Sequence, residues 1–532
     1  MTSGEPCPTI APPGESTAAA TLRRQAVAAG LCFALLGVLL HGEHWIFDGI
    51  PKLPDDAYYY FQLARNAMTG LGFSMDGIGV TNGFQPLWML VLLPIFRLGL
   101  SPEGGVCVVI AVNAVILGLL AGTLYQMIAR RFSPLSALAA LGLLLSPRFI
   151  NMLINGMESA LTALVMALVL GYLLQRPLLA HPAGPRARDG WLGFLLGLLM
   201  LSRLDSVFLV LSVALYLLWA ETGRRQGSLA ARLWAAFRGE LKVFWPLLLL
   251  VTPYLAANWW FFGSFMPISG ALKNSFPHPS FHPAYLAKFP EHVALLALVV
   301  LGAVAARRDA DPRVGRCLAI AALGMGLHLL NTLFFMRFAV ANWHFVTFIP
   351  PGVLALAVLL RWFLTARPRL MRPAVALGLI LVSAHLAWHT FKPNARYAGD
   401  VYVESALWVR DHLPATALMA MHDSGTFSYF SRRRVVNMDG LVNSLDYEHA
   451  LCENRLDQYL KEHNVRYLVD IAADLPIGHP PYTIVVPCQL DGRTSSITVS
   501  GDREVFRSRP YYHPGAGLTM SLMIWELDSS SR

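Results

Sequence analysis

From about Gln25 to about His389 the chain alternates long apolar runs with short polar loops. Beyond about Thr390 that pattern gives way to amphipathic helical stretches and short alternating runs. A helix needs about 20 apolar residues to cross roughly 30 Å of hydrocarbon. On that measure spans are expected over about 25–42, 105–128, 132–150, 157–175, 190–203, 206–220, 243–262, 292–306, 317–335, 344–361 and 373–390, or about eleven in all. The run PLWMLVLLPIFRLG has only about a dozen residues before Arg97, so it is expected to lie along the interface rather than cross.

Basic residues orient these spans. Arg23 and Arg24 precede the first one, which puts the N-terminus on the cytoplasmic side. With 86–97 left out of the count, the basic loops near 130–131, 176–188, 224–242, 307–316 and 361–372 all become cytoplasmic. Four stretches then share the outer side: Leu53 to Trp88, Asn155 to Ser159, Gly263 to His292, and everything after about Thr390. Arg203 and Asp205 of LSRLDSVF join them.

The expected fold class is a polytopic α-helical membrane protein with a C-terminal extracytoplasmic α/β domain. Residues 1–22 would form a disordered cytoplasmic tail and 23–390 the transmembrane domain, with a first outer loop over 43–104; 391–532 would form the terminal domain. In that domain SALWVRDHL reads as a helix, ALMAMHDSG as a strand and turn, and FSYFSRRRVVNMDGLV as a strand into a turn at Asp439 and Gly440. DQYLKEHNVRYLVDI reads as a helix then a strand, and TIVVP, SSITVSG, REVFRS and SLMIWEL as antiparallel strands.

Composition narrows the picture. A chain 55% hydrophobic and 14% charged, with mean hydropathy +0.49, is no ordinary soluble protein. The net charge of +9 is scattered through short loops, a pattern that orients spans and implies no nucleic-acid partner. The cysteines lack metal spacing. Cys452 and Cys488 both fall in the terminal domain and can pair if it is extracytoplasmic.

The first outer loop holds the densest chemistry, in LPDDAYYYFQLARNAMTGLGFSMDGIGVTNGFQPLW. Asp55 and Asp56 precede a helix-forming run, where one carboxylate can cap the helix. The second is left without that role. Adjacent carboxylates beside a low-dielectric boundary repel, which raises a pKa and makes a proton acceptor. Tyr58, Tyr59 and Tyr60 suit an interfacial aromatic belt, or a surface that stacks on a sugar. Glu158 stands at a span start, as a cap or as a site group. Arg203 and Asp205 are two apart, as an ion pair or as functional groups beside the bilayer. Lys273 in SGALKNS reads either as a solvated cation or as a ligand for a lipid-linked phosphate.

DDAYYYFQLARN, TNGFQPLW, NGMESAL, LSRLDS and FGSFMPISGALKNS occur in this order, followed by HDSGTFSYFS and VVNMDGLVNS. The set resembles the bacterial multi-spanning glycosyltransferases of the GT-C superfamily, in particular arabinofuranosyltransferase-like and protein O-mannosyltransferase-like members. Gln85 stands where that family more often has His. The resemblance implies an inverting transfer of sugar from a polyprenyl-phosphate donor to a glycan, lipid or protein acceptor at the outer face of a bacterial inner membrane. Asp55 or Asp56 would be the general base, with Asp55 preferred because Asp56 stands closer to the helix. Lys273 and Arg203 would receive the leaving phosphate, and Glu158 would orient the acceptor or the base. Tyr58, Asn82, Gln85, Asp205 and Asn274 complete the substrate-facing set. No cofactor is required by these motifs, and a divalent cation is left open. The rival readings are a transporter or flippase for lipid-linked sugar and a non-catalytic envelope scaffold. Polar residues mainly at span ends favour an enzyme over a transporter.

Overall fold

The computed structural model describes residues 17–47, 53–175, 190–224, 226–307, 312–338, 340–391, 398–473, 481–513 and 517–527. The tail expected over 1–22 lies outside the described residues up to residue 16, as do the loops 176–189 and 308–311; residues 17–22 already belong to the first helix.

That helix, α1 (Thr17–Phe47), packs along α4 (Pro102–Ala129). Between them come α2 (Asp55–Met68) and α3 (Pro86–Arg97). The chain continues through α5 (Pro134–Leu141), α6 (Pro147–Leu153), α7 (Ser159–Gln175), α8 (Gly190–Ser202), α9 (Val207–Arg224), α10 (Leu229–Phe262), α11 (Ile268–Lys273), α12 (Ala284–Lys288), α13 (Pro290–Ala306), α14 (Pro312–Phe335), α15 (Ile349–Ala366) and α16 (Pro368–Phe391). Among the described residues seven helical stretches can cross a membrane by length and apolarity, and the pair α5–α6, bent by 82°, makes an eighth. Pro147 opens α6 at that bend, where its missing N–H interrupts the helical ladder. The helices α7, α8 and α13 are apolar but only 17, 13 and 17 residues long. Each segment expected to span is thus helical, and several are short or broken. The helix α3 has 12 residues and packs against α2, burying Trp88, Met89, Leu92 and Ile95. Trp259, Trp260 and Phe261 at the end of α10 are exposed, as apolar side chains facing lipid are.

After α17 (Ala398–His412) the chain forms a mixed sheet from β1 (Leu418–Met421), α18 (Gly425–Ser431), β2 (Arg434–Asn437), α19 (Leu445–Cys452), α20 (Leu456–Glu462), β3 (Tyr467–Ala473), the hairpin β4 (Tyr482–Pro487) and β5 (Thr494–Val499), then β6 (Glu504–Arg507), β7 (Tyr511–His513) and β8 (Leu518–Glu526). The order is β2-β1-β3-β8-β6, with β7 also on β8. The first three strands are parallel, β8 is antiparallel to β3, and β4–β5 stand apart. FSYFS, expected to begin a strand, is instead the helix α18. Parallel β1 and β2 require a crossover between them, and this short helix supplies it. Cys452 and Cys488 form a disulfide that ties α19 to the end of β4.

The sheet is not tethered loosely. Tyr58, Phe61 and Ala57 of α2 share one core with Tyr429, Phe430, Val401 and Ile524. Tyr58 meets Tyr429 and Phe430 with ring centroids 5.6 and 5.4 Å apart. First loop and terminal sheet therefore fold against each other.

Candidate active site

Pro54, in an extended conformation, starts α2, and both aspartates fall in its first turn, where the helix dipole favours negative charge. Neither caps α2. Asp55 reaches instead to the start of α18: its Oδ2 accepts from Gly425 N at 2.8 Å and its Oδ1 from Thr426 N at 2.7 Å. A carboxylate of the first loop thus caps a helix in the terminal sheet. Gly425 leaves the room this needs, since a Cβ there would lie 2.3 Å from the Asp55 carbonyl oxygen.

Burial raises the Asp55 carboxyl from its ordinary 3.8 to about 7, against the lowering pull of its bonds to Thr426 and Gly425. The folded state therefore holds this proton more tightly than the unfolded chain. Its stabilising contribution is complete below about pH 4 and is lost as pH rises toward about 7. Burial pushes Asp423, to about 6, and Glu448, to about 7, in the same direction. Detergent-solubilised protein is therefore expected to melt at higher temperature near pH 5 than near pH 8. Asp55→Asn should shrink that difference; an unchanged difference would remove Asp55 from the account.

Asp56 is placed differently. Among the described residues its side chain accepts no hydrogen bond, and it is partly open. Burial raises its carboxyl, Lys273 and Arg203 draw it down, and Asp439 pushes it back up. Lys273 ends α11, which is fastened at both ends. Asn82 Oδ1 accepts from Ile268 N at 2.9 Å while its Nδ2 donates to Asn258 at 3.3 Å. Asn274 Oδ1 accepts from Phe276 N at 2.8 Å and its Nδ2 donates to Asn331 at 3.3 Å. Asn82 and Asn274, expected to face substrate, hold the Lys273 segment in place. Among the described residues no carboxylate lies within ion-pair distance of the half-buried Lys273 ammonium.

Arg203, expected to meet a phosphate, is already saturated. Its Nη1 lies 2.5 Å from Glu158 Oε1, and its Nε and Nη2 hold both oxygens of Asp205, the shortest contact being 2.6 Å. Arg203 is 4% exposed and Glu158 1%, so this is an interior triad whose guanidinium edges are already held by carboxylates. Glu158 Oε2 is buried with no hydrogen-bond partner among the described residues. Tyr58 is 1% exposed and belongs to the aromatic core, not to a substrate surface. Gln85 donates its N–H to the Tyr60 hydroxyl at 3.2 Å, and its buried Oε1 has no partner.

In the sequence Asp423 and Asp439 look like turn formers and Tyr59 like part of the interfacial aromatic run. All three meet beside Asp56. The Tyr59 hydroxyl donates to Asp439 Oδ2 at 2.9 Å and accepts from Ser424 N at 3.2 Å and Asn437 Nδ2 at 3.1 Å. Asp423 N donates to the same Asp439 oxygen at 3.3 Å, which helps hold Asp423 at φ 41°, a strained setting for a residue other than glycine. A usable signal was present. Asp423 and Asp439 each follow a parallel strand by two residues, β1 and β2 pair Met421 with Asn437, and functional groups collect beyond the carboxyl ends of such strands. Among the described residues, Glu448, Cys452 and Cys488 bring three ligand atoms within 4.8 Å of one another, but both sulfurs are joined in the disulfide.

Residues 391–507 match a domain family of unknown function, DUF8728. No curated protein matches the chain. Several solved structures do. The apo oligosaccharyltransferase of Archaeoglobus fulgidus aligns with 84% of this chain and 69% of its own at 14% identity and TM-score 0.52. Apo ArnT from Cupriavidus metallidurans aligns with 91% of this chain and 98% of its own at 16% identity and TM-score 0.51. The chain has the GT-C fold. Its own apolar helices make it a multi-pass membrane protein, and a small sheet domain follows them. At such identities the GT-C likeness is one of architecture, and the chemistry has to be argued from the residues.

Proposed function

We propose that the protein is an inverting glycosyltransferase that moves a pentosyl or hexosyl unit from a polyprenyl-phosphate donor to an envelope glycan, lipid or protein, at the outer face of a bacterial inner membrane. The observation that carries this reading is Asp56, a carboxylate with no hydrogen-bond partner among the described residues, set between the cation Lys273 and the terminal sheet. A sugar hydroxyl is a weak nucleophile until a positioned base takes its proton. Asp56 would take that proton as the acceptor oxygen bonds to the anomeric carbon. The anomeric C–O bond to phosphate breaks on the opposite face, and polyprenyl phosphate leaves carrying the electron pair toward Lys273. The preference for Asp55 as base is reversed here, because both its oxygens are taken by backbone N–H groups.

The site lies where the first loop, the α10–α13 connection and the terminal sheet converge. A lipid donor needs a site at a membrane boundary, and the GT-C architecture suits one. In the test, purified protein in lipid nanodiscs would be mixed with a labelled pool of polyprenyl-phosphate pentoses and hexoses and a cell-envelope fraction that supplies acceptors. The expected result is loss of label from lipid with release of free polyprenyl phosphate. Retention of all label on lipid, by protein that is folded, would sink the reading.

A further inference from the structure

The connection from Gly263 to His292 closes the C-terminal end of α14. Backbone N–H groups of Ser275, Ser280 and His282 donate to the carbonyls of Phe335, Phe334 and Leu333 at 2.7, 2.7 and 2.9 Å. Those carbonyls would otherwise be left open at a helix end. Just beyond, the two segments run antiparallel: Arg337 N donates to Lys273 O at 2.8 Å, and Asn274 faces Met336 across an isolated bridge. In this bonding pattern Asn274 and Met336 are the pair without mutual hydrogen bonds. Lys273, the last residue of α11, and Arg337 are joined directly by that backbone bond.

Two cations carried on residues joined in this way repel where their charged heads approach, which is a cost unless an anion joins them. Both side chains are half-buried, and among the described residues neither is within ion-pair distance of a carboxylate. Arg203 cannot serve as the second cation because Glu158 and Asp205 already occupy it. Arg337 remains. Its Nη1 donates to the carbonyls of Gln489 and Leu490 at 2.7 and 2.9 Å, and its side-chain bonds among the described residues use Nη1 alone. The Nε and Nη2 edge, the part of a guanidinium that grips phosphate in two bonds, is left for a ligand.

The turn that offers those carbonyls is held from several sides. Cys488 is bonded to Cys452, Cys488 N donates to Arg493 O at 2.7 Å, and Gln489 N donates to Glu448 Oε1 at 3.0 Å. Glu448 is fully buried. Its other oxygen has no hydrogen bond and lies beside Gly440, where a Cβ would come within 2.7 Å of it. Gly440 follows Asp439, so the same turn abuts both the cationic and the acidic side of the site.

We infer that Lys273 and Arg337 form a two-cation seat for the phosphate of a membrane-borne polyprenyl phosphate, and that the disulfide-held turn 488–490 positions Arg337 in it. The inference rests on the lipid-donor reading above. A seat of charge +2 matches the dianion that leaves when a phosphodiester-linked sugar is transferred, and the terminal sheet becomes part of donor recognition.

The test is equilibrium binding of radiolabelled polyprenyl monophosphate to the full chain in phosphatidylcholine nanodiscs. Arg337→Gln should weaken binding about tenfold or more. Arg337→Lys, which keeps the charge but loses the fork, should fall between it and wild type. Opening the disulfide, by reductant or by Cys452→Ser with Cys488→Ser, should weaken wild-type binding about threefold or more and leave Arg337→Gln unchanged. A turn with only a structural role would weaken both proteins alike, which would overturn its positioning of Arg337. Unchanged binding by folded Arg337→Gln would overturn the seat. Inorganic phosphate at about 10 mM should not displace the lipid; full displacement would reassign the seat to free phosphate. If the wild type binds no polyprenyl phosphate, the lipid-donor reading itself fails, a result distinct from the others.

Discussion

Replacing Asp56 with Asn should lower sugar transfer by about 10²- to 10⁴-fold, the range that a positioned general base contributes, while folded yield and lipid-phosphate binding persist. The size follows from what the side chain does in the resting site. It makes no hydrogen bond among the described residues, so the amide disturbs no contact that holds the fold. What is lost is a proton acceptor. Burial raises this carboxyl while Lys273 and Arg203 pull it down and Asp439 raises it, so its ionisation lies above the ordinary carboxylate range. A base must be deprotonated to act, and wild-type activity should therefore climb with pH through that raised ionisation. The residual activity of Asp56→Asn should not. Asp55→Asn should behave differently, acting through weakened docking of α18 on α2 and the altered pH dependence of unfolding. If folded Asp56→Asn transfers sugar at the wild-type rate while folded Asp55→Asn is silent, the two roles are exchanged.

The second large effect is on stability. Arg203→Met should destabilise the protein by about 3–5 kcal/mol, because it strands the Glu158 and Asp205 carboxylates that the guanidinium now neutralises. The loss comes from the uncompensated charges more than from the missing contacts. Removing those charges as well should restore most of it, so the triple variant Arg203→Met, Glu158→Gln, Asp205→Asn should unfold later than Arg203→Met alone. Thermal or urea unfolding in a single detergent measures both. Equal stability of Arg203→Met and wild type would mean that the triad is not a structural element.

Much of the helical architecture was legible because membrane spans announce themselves by length and apolarity. The shortness of 86–97 was enough to set it aside as a 12-residue helix packed on α2. The first loop also stood out in the sequence, since two adjacent carboxylates exceed what capping one helix needs. Their division of labour did not. The N–H groups that claim Asp55 lie 370 and 371 residues further on, and no local pattern at LPDDAYYY points to Gly425. The same separation explains Arg203. Its pairing with Asp205 could be read from a spacing of two, but Glu158 sits 45 residues upstream and completes the triad only in three dimensions. Tyr58 and Tyr59 are adjacent in an aromatic run, and only the helix that rotates one into the core and the other toward Asp439 separates them. FSYFS misled because its aromatic content favours a strand, whereas the parallel pairing of β1 and β2 demands a crossover there.

The cap that Asp55 places on α18 has a consequence for how the protein is made. The first loop emerges early in synthesis, while the residues that complete it come from the last quarter of the chain. Until that sheet has been delivered to the same side of the bilayer and has docked, α2 lacks the partner for its buried aromatic face, and Asp56 lacks the surroundings that raise its carboxyl. A nascent chain halted after residue 391 would carry the membrane helices without the groups that surround Asp56, so under the proposed function sugar transfer waits for the arrival of the C-terminal sheet.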